Sequence, residues 1–153
     1  NNLYATHMHI SECRNSENIS RIAEPFNIKS WRVDGNDVLK VYEAAGEAVA
    51  LCRAGKGPVF MECLTYRFKG HVGPDDAIQG MHTDIRPPAE HKRWLKRDPI
   101  TRFEGFLISK KIMTSSGLER LKRKAAAEIS DAVAFARKSP RPDPRGLEKY
   151  VVK

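Results

Sequence analysis

The apolar positions of this chain change period as it proceeds, and each period predicts an element. From Ser16 onward, Ile19, Ile22, Ala23 and Phe26 recur at helical spacing, and Pro25, which has no amide hydrogen, keeps that helix short. A strand-like piece over residues 30–33 ends at the turn signal Asp34-Gly35, after which Asn36 or Asp37 can cap a helix. Val38, Val41, Ala45, Ala48, Val49 and Cys52 form the apolar stripe of that helix, and Gly55 suits the left-handed position beyond its end. Residues 58–66 are mostly apolar rather than alternating, the pattern of a strand covered on both faces in a parallel sheet. Residues 67–89 carry no period and are too long for a mere connector, as functional or disordered loops are. Helices are expected around residues 90–96, from 99 to about 110, and after a capping box at Ser116-Gly117-Leu118-Glu119. The last has the stripe Leu118, Leu121, Ala125, Ile129, Ala132, Val133 and Ala136, and Pro140, Pro142 and Pro144 end regular structure.

The order helix, strand, helix, strand, preceded by a segment that reads as a loop leaving a strand absent from this sequence, predicts an α/β fold with a doubly wound parallel sheet. Residues 1–139 are expected to belong to one domain and 140–153 to a proline-rich tail. In such sheets ligands bind at the carboxyl ends of the strands. Two segments leave strands there, residues 1–6 and 67–73. Asn2 offers a carboxamide oxygen that magnesium accepts, although asparagine after a strand also serves as a plain turn residue. His71 can carry charge near neutral pH or sit idle in a solvent-facing loop, and Arg67 can fix an anion or a loop carboxylate through its planar fork. His7 and His9 lack a third metal ligand at suggestive spacing and are taken as incidental; His82 and His91 carry no signal of their own. No glycine-rich phosphate cradle, nucleophile elbow or Cys–His pairing is present.

With 153 residues, 41% hydrophobic and 30% charged, the chain has the make-up of one soluble globular domain. The formal charge of +8 is uneven: residues 1–80 hold nine basic and ten acidic side chains, and residues 81–153 hold eighteen and nine. No aromatic platforms interleave with the basic stretch, so it reads as a solvated face or subunit contact, not a nucleic-acid site. Cys13, Cys52 and Cys63 are odd in number and far apart, which suggests reduced thiols. No apolar run reaches the ~18 residues of a membrane helix and no signal-like start is seen, so a cytoplasmic protein without membrane contact is expected.

Four stretches, in order, carry a resemblance to one family. NNLYAT resembles the segment that closes the thiamine-diphosphate motif in alpha subunits of 2-oxo acid dehydrogenases of the pyruvate dehydrogenase and acetoin dehydrogenase type. RVDGNDVLKVYEAAGEAV resembles their VDGNDV helix start, GKGPVFMECLTYRFKGH their strand and following loop, and LKRDPI a later helix start. The match runs from residue 1 to about residue 142.

The resemblance implies a three-layer αβα thiamine-diphosphate-binding fold with a parallel sheet, here an N-terminally truncated fragment with C-terminal helices. It implies oxidative decarboxylation of pyruvate or a related 2-oxo acid with acyl transfer to lipoyl; an acetoin dehydrogenase-type subunit, or a noncatalytic binding domain on the same fold, are the alternatives. Thiamine diphosphate would supply the electron sink for decarboxylation. In the family, Mg2+ bridges the diphosphate to an upstream Gly-Asp-Gly, to the side chain matching Asn2 and to the carbonyl matching Tyr4. His71 matches the histidine at the active-site mouth, the catalytic candidate, and Arg67 matches an arginine that orders its loop; both count as cofactor-binding. The implied partners are a beta subunit in an α2β2 heterotetramer, a lipoyl acyltransferase and the small 2-oxo acid itself. The sequence departs from the pattern in lacking the Gly-Asp-Gly, so the fragment alone is expected to be inactive. Val72 stands where phosphorylation-regulated members carry serine, which implies an unregulated, bacterial-type enzyme, and the loop to Arg86 is longer than usual.

Overall fold

The computed structural model describes residues 1–71 and 86–151, leaving aside the side chains of Leu147, Glu148 and Tyr150. Val72, His82 and most of the lengthened loop therefore lie outside the described residues. Two compact units are present, Asn1–Phe106 and Leu107–Lys153.

The first unit opens with a hairpin of β1 (Tyr4–Ala5) and β2 (Met8–His9), antiparallel with Tyr4 opposite His9 and Ala5 opposite Met8. A one-turn helix α1 (Ile10–Cys13) follows, then a 3-10 helix (Ile19–Phe26) capped by Asn18 and holding Pro25. β3 (Lys29–Asp34) and β4 (Val59–Leu64) pair in parallel, Lys29 against Val59 through Asp34 against Leu64, with α2 (Val38–Arg53) as the crossover. The unit closes with α3 (Pro88–Leu95) and most of α4 (Pro99–Ser109). This mixture of helix and parallel sheet is compatible with the expected α/β class.

Asp37, not Asn36, caps α2, accepting from the amides of Leu39 and Lys40. At the other end Gly55 takes φ +69, and its amide and that of Lys56 bond the Cys52 and Leu51 carbonyls, the double bond of a Schellman ending. The stripe read from the sequence is only partly the one that faces the sheet. Val41, Ala44, Ala45, Ala48 and Leu51 are half-buried, whereas Val38, Val49 and Cys52 are exposed. β4 is likewise half-buried except at Glu62, so the described residues do not cover it on both faces.

The second unit contains α5 (Ser115–Lys138) and a 3-10 helix (Pro144–Tyr150). The expected capping box is replaced by Thr114, whose hydroxyl accepts from the Gly117 amide. The helix starts earlier than the box requires, and a glycine stands at the third position where the box needs Glu119. Only Leu118 of its stripe is buried; Leu121 is 54% and Ile129 66% exposed.

Candidate functional site

β3 and β4 deliver their carboxyl ends to one rim, and the segments leaving them are tied together there. After β3, the Gly35 amide donates to Leu64 O at 2.7 Å. A Cβ on Gly35 would lie 2.8 Å from that oxygen, so the approach needs glycine. Asn36, 1% exposed, is held at both ends of its carboxamide: Nδ2 donates to Arg97 O and Oδ1 accepts from Thr65 Oγ1. Asp34 receives Arg97 at 2.9 Å and Arg102 at 3.3 Å. Burial pushes its carboxyl up, but the bonds from Arg97, the Asn36 amide and Arg102 outweigh that and hold it below the ordinary aspartate value. The VDGND stretch is thus a structural knot joining the rim to α3 and α4.

The opening segment lies along the free edge of β4. The Asn1 nitrogen donates to Cys63 O, and the Thr65 amide donates to Asn1 O. Glu62, 4% exposed, accepts from Asn1 Nδ2 at 2.7 Å and the Ser20 amide at 2.8 Å, with Arg32 at 3.5 Å. Two asparagine side chains then shape the turn: Asn1 Oδ1 accepts from the Leu3 amide and Asn2 Oδ1 from the Tyr4 amide. Leu3 has φ 69 and Thr6 φ 58, left-handed backbones that cost a non-glycine residue roughly 1–3 kcal/mol and gather at functional sites.

Asn2 and Tyr4 are therefore brought together, and both present oxygen. The Asn2 Oδ1 bond to the Tyr4 amide leaves a second lone pair. The Ile10 amide bonds Leu3 O, which makes Leu3 and Ile10 a hydrogen-bonded pair and Tyr4–His9 the next, non-bonded one. The Tyr4 carbonyl thus faces away from β2. A carboxamide oxygen and an outward carbonyl suit magnesium, which takes hard oxygen ligands and keeps places for phosphate and water. Among the described residues no group of three or more His, Cys, Asp or Glu is placed to hold a metal.

After β4, Arg67 links this turn to His71. Its Nη2 donates to Thr6 O, its Nε to Lys69 O and its Nη1 lies 3.0 Å from His71 Nδ1. Backbone carbonyls and an imidazole, not an anion, are its partners among the described residues. The guanidinium can only donate, so Nδ1 accepts and the neutral His71 ring carries its proton on Nε2. The His7 ring stands edge-on to His71 at 6.1 Å, and its Nε2 is buried without a partner among the described residues. His7 thus lies beside His71, and His9 caps α1.

Of the third component, the start of α3, sequence reading left the role of Arg86 open and missed those of Glu90 and His91. Arg86, 7% exposed, donates to Arg67 O and Lys69 O, and its guanidinium lies 5.0 Å from the Tyr66 ring. His91 Nε2 meets Phe68 O at 2.9 Å, and Glu90 accepts from the Tyr4 hydroxyl at 2.7 Å. Burial first, then donation to Glu90 and the charge there, raise the Tyr4 pKa, so the hydroxyl stays a donor. A polar helix start after an aperiodic loop gives no sign of this role.

The dehydrogenase E1 component family model matches residues 1–145. The chain is 37% identical over 144 residues to the pyruvate dehydrogenase E1 component subunit alpha-3, chloroplastic, of Oryza sativa subsp. japonica, covering 93% of this chain and 32% of that protein. It is 33% identical over 153 residues to the pyruvate dehydrogenase E1 component subunit alpha of Porphyra purpurea, covering 99% and 42%. With the 3-methyl-2-oxobutanoate dehydrogenase subunit alpha of Mycobacterium tuberculosis (strain ATCC 25618 / H37Rv) it shares 35% identity over 136 residues, 87% of this chain and 36% of the other. The chain spans 32 to 42% of the length of these relatives.

Proposed function

This chain belongs to the dehydrogenase E1 component family, and on that premise we propose that it is part of the alpha subunit of the decarboxylating component of a 2-oxo acid dehydrogenase complex, acting on pyruvate or a close analogue. The observation that carries the reading is the rim itself, where Arg67 ties His71 to Thr6, in the hairpin that leaves the Asn2–Tyr4 turn. When bound, thiamine diphosphate with Mg2+ supplies the electron sink for loss of carbon dioxide. The chain's own contribution is position and donors. Asn2 Oδ1 and the Tyr4 carbonyl would supply two of the oxygens that hold the metal. His71, with its proton on Nε2, offers a hydrogen-bond donor to an oxygen that gains negative charge. Arg67 sets both the tautomer and the placement of that ring. A noncatalytic domain has no need of a strained turn joined to an oriented histidine.

The finer fold belongs to the same proposal: a three-layer αβα arrangement in which the sheet continues past β4. The bonds from the Asn1 nitrogen to Cys63 O and from the Thr65 amide to Asn1 O bracket Leu64, which is the pattern of a parallel ladder. So do the beta subunit in an α2β2 heterotetramer, the lipoyl acyltransferase and a cytoplasmic setting. No described helix is long and apolar enough to cross a membrane.

The test is calorimetric titration of thiamine diphosphate with Mg2+ into the full-length protein assembled with its beta subunit. Magnesium-dependent binding supports the reading, and a well-folded assembly that binds none overturns it. Asn2→Ala should weaken magnesium-dependent binding by about tenfold or more, roughly 1.4 kcal/mol. His71→Ala should lower kcat by about 100-fold or more while cofactor affinity changes little. Unchanged binding and turnover in both variants would remove the site assignment.

A further inference from the structure

Tyr4 stands between two left-handed residues, Leu3 and Thr6, and its carbonyl faces away from the hairpin ladder. The ladder therefore does not aim that oxygen. The Tyr4 amide is held by Asn2 Oδ1, and the side chain ties the residue to the rest of the rim. The ring meets His9 edge-on at 5.0 Å and Tyr66 at 6.2 Å, and the hydroxyl donates to Glu90 Oε2 at 2.7 Å across 86 residues of sequence. Glu90 sits in the first turn of α3, where negative charge is favoured by the helix dipole, and its neighbours are fixed in turn. Trp94 of the same helix stacks on Tyr66 at 5.3 Å, and His91 and Arg86 hold the backbone of Phe68, Arg67 and Lys69.

We propose that Glu90 is a positioning residue for the metal: by anchoring the Tyr4 hydroxyl it holds the strained turn so that the Tyr4 carbonyl and the Asn2 carboxamide oxygen converge on one magnesium ion. This rests on the functional reading above. A strained turn keeps its geometry only where its surroundings over-determine it, and the Tyr4–Glu90 bond adds a tie to α3 to the one that Leu3 O makes to the first amide of α1. Loss of the bond frees the turn to relax, moving the carbonyl before any other part of the rim.

Two variants remove the bond from opposite sides: Tyr4→Phe deletes the donor and keeps the ring, and Glu90→Ala deletes the acceptor. Glu90→Gln keeps an acceptor oxygen. In the full-length alpha subunit assembled with its beta subunit, the readout is the Mg2+ concentration that half-saturates thiamine diphosphate binding, followed calorimetrically without substrate. Tyr4→Phe and Glu90→Ala should each raise it by about tenfold, the size usual for groups that orient metal ligands. The double variant should be no worse than either single one, Glu90→Gln should restore most of the loss, and cofactor affinity at saturating Mg2+ should stay near that of the parent. Should Glu90→Ala fail to assemble, Tyr4→Phe, which leaves the packing intact, decides the matter. Unchanged magnesium dependence in Tyr4→Phe, or additive losses in the double variant, would overturn the proposal while leaving the cofactor reading in place. A parent assembly with no magnesium-dependent binding would overturn both.

Discussion

Glu62 joins more of the first unit than any pattern in its neighbourhood suggests. Its carboxylate receives the Asn1 side chain, the Ser20 amide and Arg32, so the opening segment, the 3-10 helix and β3 meet at one buried group. Glu62→Ala removes the buried acceptor these donors share and should lower stability by about 3 kcal/mol, measured by chemical denaturation of the assembled protein. A loss under about 1 kcal/mol would show that water replaces the carboxylate. Arg67 has a comparable role at the rim. Lysine has no rigid fork with which to reach Thr6 O, Lys69 O and His71 at once, so Arg67→Lys should cut kcat by as much as ~100-fold with cofactor affinity little changed. Asn2, Tyr4, Arg67 and His71 were legible because they sit in stretches that resemble a family. Glu62 and Glu90 were not, since a glutamate inside a strand or a helix start shows nothing of partners remote in sequence.

Elements were legible where their cause is local. The ends of α2 follow from Asp37 and Gly55, which act on amides and carbonyls a few residues away. Asp37→Ala should cost about 1 kcal/mol. The start of α5 was misread, and the correction has a direct check. Thr114→Ala should cost about 1 kcal/mol of stability by thermal unfolding, whereas Glu119→Ala should cost almost nothing. A reversal of that order would restore the capping box. Asp34 links the end of β3 to Arg97 and to Arg102 of α4. Since its carboxyl is held below the ordinary value of 3.8, the stability it contributes is fully present above that pH. It is lost as pH falls through the lower, folded value. Asp34→Asn should flatten acid unfolding in that range, and an unchanged acid limb would mean that other carboxyl groups govern it.

The first unit buries few large apolar side chains, Ile10, Tyr66 and Trp94 among them, while Phe26 is 73%, Tyr42 78% and Ile100 67% exposed. So much apolar surface is uncommon on a protein that acts alone. It agrees with a chain that spans 32 to 42% of its relatives' length and with the proposed assembly. The isolated 153-residue chain is therefore expected to self-associate in sedimentation experiments, and to bind no thiamine diphosphate even with Mg2+. A monodisperse monomer that binds the cofactor would contradict the proposed need for further chain and partner.

Period, caps and turn residues act over a few positions, so the order of β3, α2, β4 and the helices to α5, the parallel pairing of the two strands and the places where α2 begins and ends could be read from sequence alone; the β1–β2 hairpin, α1 and the 3-10 helix Pro144–Tyr150 could not. The sequence also determined which rim residues resemble those of a cofactor-binding family. Which faces are buried was decided only by tertiary structure, because a stripe such as that of α5 states what a helix can cover and not what is there to cover it. The same holds for the site. Arg67 fixes the tautomer of His71 through a bond across four residues, and it reaches Thr6 across 61. Glu90 reaches Tyr4 across 86, a contact that exists only once β1 and α3 have been brought together by the fold.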